Sequence, residues 1–512
     1  MERKWWTLTL VCVATFMLLL DITIVNVALP DIQIDLGASL SSLQWVVDAY
    51  ALTLATFLLI AGSLGDRVGR RRVFSFGFAL FTFASFLCGI AHDPTLLNLA
   101  RGLQGIGGGF MFATALALIA QEFEGKERAT AIGAWGATVG GAVAIGPLVG
   151  GLLTEGLGWE WIFFINVPIG ITAVVLTERK LANVAATDPK PLDWPGLFTF
   201  SGGLFLLIFG LIRGNPEGWS SAVIVASLTG AAVLLGAFVA VEIRRPNAML
   251  DMSLFRKPAF TGVSIAAFAL SAGMFAMFLY LTLYIQNVLG YSPLEAGVRF
   301  LPITLLSFFV APVAARLLNW IPARFLLGVG LTFVGAGLLA MRGVSVDSEW
   351  TTLLLGFVIA GAGIGMTNPG IASTAIGVVN AARAGMASGI NSTFRQVGIA
   401  TGVAGLGAVF QSQIDSRLSD LLPNAPAGLG EIVAAGGTRA ATEVAPVGIQ
   451  AQVGDAATTA FVGALNELFL IAALISLAGA ALSLILVRQR DFVAPTAPVP
   501  GPEAPVGEPA AV

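Results

Sequence analysis

Four side chains early in the sequence are of types that could move a proton inside a membrane: Asp21 in LDITIVNVALP, Asp48 in WVVDAYAL, and Arg101 and Gln104 in RGLQGIGGG. Each lies within an apolar run, where an ionised side chain costs roughly 2.5–3.5 kcal/mol on insertion scales and needs a partner or a task to remain. Arg101, Gln104, Gly105 and Gly108 fall on one helical face by i, i+3, i+4 and i+7 spacing, which sets a cation on a smooth, closely approachable stripe. Asp21, Arg101 and Asp48 are therefore the candidate proton-coupling residues. Asp48 sits nearer one surface, where plain hydration would also account for it. Asn26, Gln104 and Glu467 are the candidates for the wall of a substrate cavity, Glu467 lying early in the last apolar run. The competing readings are a permanently neutralised carboxylate at Asp21 and a snorkelling arginine at 101. Snorkelling is disfavoured because the charged end of that helix is about 20 residues, roughly 30 Å, away.

The sequence offers little for other chemistry. It has no HExxH pattern, no histidine pair and no carboxylate dyad on one apolar run. Its single histidine, His92, reads as a polar loop residue, and its two cysteines, Cys12 and Cys88, lie in apolar runs without disulfide or metal spacing. The expectation is a non-enzyme with no metal and no cofactor.

The elements that hold these residues follow from composition. The 512 residues are 56% hydrophobic and 11% charged, with a mean hydropathy of +0.86. Apolar stretches of about 20 residues, each long enough to cross hydrocarbon, recur along almost the whole chain. We read fourteen helical spans, near 7–29, 43–64, 73–91, 96–119, 129–153, 161–177, 193–212, 221–241, 259–289, 296–318, 323–342, 351–377, 385–410 and 460–487. The fold class expected is thus an all-α integral membrane protein. The opening MERKWW and its apolar run are no signal peptide, since the run is long, carries Asp21 and leads into further spans. An even number of spans puts both termini on one side. Segments on that side collect 20 of the 27 Lys and Arg residues, while the opposite loops hold five and Arg101 and Arg395 fall within spans. The positive-inside rule then makes both termini cytoplasmic.

The densest charge lies in Gly62 to Phe74, GSLGDRVGRRRVF, read as a tight cytoplasmic loop. It resembles the loop 2–3 signature of the major facilitator superfamily, G-x-L-x-D-R-x-G-R-[RK], at Gly62, Leu64, Asp66, Arg67, Gly69, Arg70 and Arg71. The resemblance implies a latch between two helical bundles, with Asp66 pairing an arginine across the loop. RGLQGIGGG is similar to the family's fourth-helix motif, whose arginine is implicated in proton transfer. GAVAIGPLVGG in the fifth span, with Gly146, Pro147, Gly150 and Gly151, is similar to the motif that marks antiporters. Read physically, those residues predict only a bent, tightly packed helix. Together with LDITIVNVALP, WEWIFFINVPIG and LDMSLFRKPAF, they resemble the fourteen-span drug:proton antiporter branch. Trp159 and Trp161 are expected at an interfacial aromatic belt.

What the resemblance implies is two six-helix bundles plus two extra central helices: an N-terminal bundle over 1–180, an inserted pair over 181–250 and a C-terminal bundle over 251–488. A shift of 256 residues lays Gly105, Gly107, Gly109, Gly133, Gly146 and Gly151 on Gly361, Gly363, Gly365, Gly389, Gly402 and Gly407, as parallel repeats would. The second-half counterpart of the charged loop, 317–325, lacks its Gly/Asp frame. The outer loop 411–459 is too weakly patterned to be called folded, and residues 489–512 read as a disordered cytoplasmic tail. The function expected is a multidrug exporter in a bacterial cytoplasmic membrane, driven by the proton motive force. Its partners are a small amphipathic substrate, protons and the lipid bilayer, with no nucleic acid and a monomer expected. The alternatives are an exporter or symporter of one endogenous metabolite on the same fold, and a non-transporting receptor or scaffold, for which costly buried charges have no use.

Overall fold

In hydrocarbon a chain must satisfy every backbone N–H and C=O internally, and helices do so within each segment. The computed structural model describes residues 2–123, 125–182, 193–245, 248, 250–318, 320–379, 384–423, 428–438, 441–442, 445 and 448–492. The long helices among them are α1 (Arg3–Leu36), α2 (Leu40–Val68), α3 (Arg70–Gly89), α4 (Pro94–Glu122), α5 (Gly125–Leu157), α6 (Trp161–Lys180), α7 (Trp194–Glu217) and α8 (Ala222–Arg244). They continue with α9 (Pro258–Val288), α10 (Pro293–Leu317), α11 (Ala323–Met341), α12 (Thr351–Gly377), α13 (Ala384–Leu421) and α14 (Gln450–Leu486). Among the described residues, twelve helices are long and apolar enough to cross a membrane. The protein is a multi-pass, all-helical membrane protein. α2 and α5, with 29 and 33 residues, are of similar length.

Helix ends follow local chemistry. Gly37, left-handed at φ 60°, stops α1. Ser39 caps α2 by accepting from the Ser42 N–H, and Asp93 caps α4 by accepting from Thr95 and Leu96. The segment read as a loop from Gly62 is shorter than expected: α2 runs to Val68, Gly69 alone breaks the helix at φ 100°, and α3 starts at Arg70.

Glycines set the helix contacts. A Cβ at Gly107 would sit 2.6 Å from the Phe81 nitrogen of α3, and one at Gly363 would sit 2.7 Å from the Val334 nitrogen of α11. Gly105 meets Tyr50 of α2, as Gly361 meets Ile303 of α10. Gly146 meets Thr23 of α1, as Gly402 meets Ala272 of α9, and Gly151 meets the start of α10, as Gly407 meets Gln44 near the start of α2. These four glycine pairs, spaced 256 apart, thus meet corresponding helices.

We call the end that carries Arg3 and Arg490 the near end and the other the far end. Several hydrogen bonds join the helices before residue 180 to those after 250 toward the far end. Gln44 Nε2 donates to the Val403 carbonyl at 3.2 Å, Gln286 Nε2 to the Val27 carbonyl at 2.7 Å, and Ser292 Oγ to Glu155 at 2.6 Å. Toward the near end, Gly136 and Gly141 of α5 face open space. α7 and α8 pack on each other, and α7 lies against both α2 and α13, with Asn215 Nδ2 donating to the Ala408 carbonyl at 2.5 Å.

The 411–459 stretch is more ordered than expected. α13 continues to Leu421 because Ile414, Leu418 and Leu422 extend its buried stripe at four-residue spacing, a short helix follows at Leu429–Ala434, and α14 begins at Gln450. The tail also begins docked: Asp491 accepts from the Ala259 N–H at the start of α9. Residues 493–512 lie outside the described residues.

Candidate functional site

Small residues let α4 approach α2 and α1. At Gly105 any side chain would collide with the Tyr50 carbonyl and Thr53, and Thr53 Oγ1 donates to the Gly102 carbonyl at 2.7 Å. This brings Arg101 against α1. Its Nη1 donates to Asp21 Oδ2 at 2.5 Å and to Gln104 Oε1 at 2.6 Å, and its Nε donates to the Val46 carbonyl at 2.9 Å. Gln104 Nε2 completes the ring by donating to Asp21 Oδ1 at 2.8 Å and to Ser85 Oγ at 2.9 Å. The Tyr50 ring faces the guanidinium at 4.2 Å, within cation–π range. Asp21, Gln104 and Arg101 are 1%, 0% and 2% exposed, which excludes snorkelling at Arg101.

This arrangement makes Asp21 a carboxylate with both oxygens engaged, one by a cation and one by an amide. In low dielectric such a pair is held by its mutual satisfaction, and removal of either partner leaves a costly uncompensated charge. A proton delivered to Asp21 therefore changes the whole cluster. Among the residues proposed from sequence, Asp21, Arg101 and Gln104 come together here. Tyr50, Ser85 and the Val46 carbonyl were not identified. Spacing offered one clue, since Tyr50 lies four residues beyond Val46 on one face of α2.

For Asp48, hydration is the alternative to proton coupling, and the structure does not support that alternative. Asp48 is 0% exposed rather than hydrated, and among the described residues neither carboxylate oxygen has a hydrogen-bond partner. It lies one turn from Gln44, on the face of α2 turned to α13, so helix packing removes the water that its position along the sequence suggested. Between α1, α2, α4 and α13 lies a narrow void lined by Ile22, Val25, Val47, Tyr50, Ala51, Arg101, Gln396 and Ile399. Gln396 was also missed from sequence.

Other candidates stand apart. Asn26 donates to the Ile22 carbonyl of its own helix. Glu467 does not line the void: it lies between Arg342 and Arg417, at 3.8 and 3.9 Å, because α14 carries it to the far end where those arginines cluster. Trp159 is 4% exposed and donates to Asp35, so only Trp161, 46% exposed, suits an interfacial belt. At the near end Arg70 Nη1 donates to the Ala117 carbonyl, and Arg71 pairs with Glu178 at 3.3 Å, while Arg67 is exposed. Gly62 and Asp66 lie within α2, and the side chain of Asp66 is outside what the structure describes. In α5, Gly150 meets Ile24 of α1 and the Pro147 carbonyl meets Gly297 of α10, so this stretch packs against helices on both sides. Among the described residues no cluster suits a metal ion.

The family described as Major Facilitator Superfamily matches residues 11–403. The chain is 36% identical over 411 residues to the "Multidrug resistance protein Stp" of Mycobacterium tuberculosis, covering 80% of this chain and 76% of that protein. It is 36% identical over 431 residues to the "Tetracenomycin C resistance and export protein" of Streptomyces glaucescens, covering 82% and 78%. Among solved structures, a bacterial homolog of the human lysosomal transporter Spinster, inward-facing and unoccupied, matches with a TM-score of 0.67 at 18% identity, over 96% of this chain and 99% of that one. That likeness concerns the fold.

Proposed function

This chain belongs to the Major Facilitator Superfamily, and on that premise we propose that it is a proton-driven exporter of amphipathic organic compounds, antibiotics among them. The observation that carries this reading is the buried Asp21–Arg101–Gln104 ring beside the void at Tyr50. The names of its relatives, resistance and export proteins, support it independently. We assign the chain to the fourteen-span antiporter branch, with α2 and α5 added to the twelve apolar spans. Residues 1–180 and 251–488 form its two bundles, and 181–250 the inserted pair. Both termini face the cytoplasm of a bacterium.

In the cycle, a proton reaching Asp21 cancels the charge that holds Arg101, and the freed guanidinium rearranges the walls of the void. Asp48, whose oxygens have no hydrogen-bond partner among the described residues, is a second proton acceptor. The near-end residues Gly62, Asp66, Arg67, Gly69 and Arg70 bias the closed form of that end, and the bent stretch at Gly146, Pro147, Gly150 and Gly151 is the antiporter element on which the bundles rock. Substrate and proton alternate, which makes the cycle an exchange. One proton moving down about 100 mV supplies roughly 2.3 kcal/mol, and half a pH unit adds about 0.7. Together they sustain a gradient on the order of a hundredfold for a neutral compound.

The test is export of a lipophilic cationic dye by energised inverted vesicles, with and without a protonophore. Export that collapses with the protonophore and is lost in Asp21→Asn is the expected result. Export indifferent to both refutes proton coupling. Absence of dye movement removes lipophilic cations from the substrate range and directs the search to anionic or neutral compounds and endogenous metabolites.

A further inference from the structure

Two arginines lie inside spans, and their surroundings differ. Arg101 is neutralised by Asp21. Arg395, in the sequence FRQVG of α13, takes part in no ion pair among the described residues, and the neutral Asn368 of α12 accepts from its Nη2 at 2.8 Å. Asn368 turns its oxygen to that contact, which leaves its Nδ2 as a further donor. An intramembrane guanidinium held only by an amide is costly without an anion to satisfy it.

Arg395 sits in α13 next to residues that line the void. Ile399 lies one turn from Arg395 on the same face of α13 and lines the void, as does Gln396. Gln396 is 6% exposed, and its Oε1 has no partner. The opposite wall holds Arg101, whose charge is already matched, together with the Tyr50 ring and the aliphatic Ile22, Val25, Val47 and Ala51. Arg395 precedes Gln396 in α13 and is thus the cation next to this wall of the void, while Gln396, on the wall itself, offers an acceptor for a hydroxyl or N–H.

We propose that Arg395 and Asn368 form a binding station for the anionic group of the transported compound, an amphipathic organic acid whose apolar body lies against α1 and α2 and whose hydroxyl or N–H donates to Gln396. A planar fork of N–H donors suits a carboxylate or sulfonate better than it suits any cation. The inference rests on the export reading and narrows it to a substrate class. It also has an electrical consequence: a proton entering and an anion leaving both run with an inside-negative potential, so exchange of such cargo is electrogenic.

The experiment uses the purified full chain in lipid nanodiscs and two matched naphthalene fluorophores, one ending in a carboxylate and one in a trimethylammonium group, followed by fluorescence anisotropy. Wild type is expected to bind the carboxylate probe. Arg395→Gln should weaken that binding about tenfold or more, the size of a lost charged hydrogen bond, and leave binding of the cationic probe within about twofold. If the wild type does not bind the carboxylate probe, or Arg395→Gln weakens both probes equally or neither, the proposal is overturned. If Arg395→Gln yields no folded protein, Arg395→Lys, which keeps the charge and loses the fork, must still lower affinity for the carboxylate probe selectively, and unchanged affinity overturns the proposal. Binding needs no proton gradient, so a protein that binds the anion and exports nothing refutes the export reading alone. One that exports cationic dye and binds no anion refutes this one.

Discussion

Arg101 and Asp21 meet at 2.5 Å between α4 and α1, and among the described residues neither has another charged partner. Each is satisfied chiefly by the other, and the two are separated by 80 residues of sequence. The first prediction follows from that dependence. Asp21→Asn and Arg101→Gln should each destabilise the protein by about 3–5 kcal/mol, because each leaves one buried group unmatched. The double variant should cost less than the sum by at least about 1 kcal/mol. Equilibrium unfolding of the purified protein in detergent reads all three. Additive effects would mean that the pair is not coupled.

Tyr50 separates ring from hydroxyl. Its O–H reaches the Leu18 carbonyl only at 3.4 Å, whereas its ring lies 4.2 Å from the Arg101 guanidinium. Tyr50→Phe should therefore stay within about 0.5–1 kcal/mol of wild type. Tyr50→Leu should lose about 2 kcal/mol or more, through the cation–π contact and the emptied volume. The same unfolding assay distinguishes the two, and equal losses would assign the effect to the hydroxyl.

The all-helical membrane fold was legible because its signal is redundant: apolar runs of sufficient length recur along the chain, and no soluble core needs them. Asp21, Arg101 and Gln104 were legible for a different reason, being expensive where they stand. What sequence could not reveal was which faces meet. Asp48 and Glu467 are the same kind of residue by position, each a carboxylate some way into a span. Packing of α2 on α13 dries one, and arginines from two other elements pair with the other. Arg395 reads as intramembrane from sequence alone, but that no described residue pairs with it as a counter-ion depends on contacts between helices. The far-end order of 429–438 escaped notice because short Ala/Gly-rich segments carry little periodicity, although Leu429 and Val433 are buried.

The contrast between those two carboxylates is testable. Among the described residues no donor or cation contacts the Asp48 oxygens, so Asp48→Asn removes none of these interactions and should leave stability within about 1 kcal/mol of wild type. If Asp48 accepts a proton during exchange, the same variant slows proton-driven dye export in proteoliposomes and leaves dye binding intact. Glu467→Gln, which loosens two partly exposed pairs, should shift stability by about 0–1 kcal/mol and leave export unchanged. An export defect in Glu467→Gln and none in Asp48→Asn would reverse these assignments.

The far-end seal between α5 and α10 yields the last prediction. Glu155 of α5 accepts from Ser292 Oγ at 2.6 Å and from the Leu294 N–H at 3.1 Å, joining the start of α10. One helical turn away, Gly151 packs directly on backbone: an added Cβ would lie 2.5 Å from the Pro293 carbonyl oxygen and 2.6 Å from Leu294 Cα. Backbone cannot turn aside as a side chain can. Gly151→Val should thus force the two helices apart, whereas Glu155→Gln weakens their contact while keeping its shape. Replacing a charged acceptor by a neutral one costs about 1 kcal/mol, or roughly fivefold in the balance between closed and open far ends. Ala296→Cys, at a buried position on the first turn of α10, reports the outcome through its reaction with a membrane-impermeant maleimide added from the far side. Labelling should rise severalfold in Glu155→Gln and more strongly in Gly151→Val, with export falling at least tenfold in the valine variant because the closed far end is no longer reached. Unchanged labelling in both variants would show that the α5–α10 contact does not hold the far end shut.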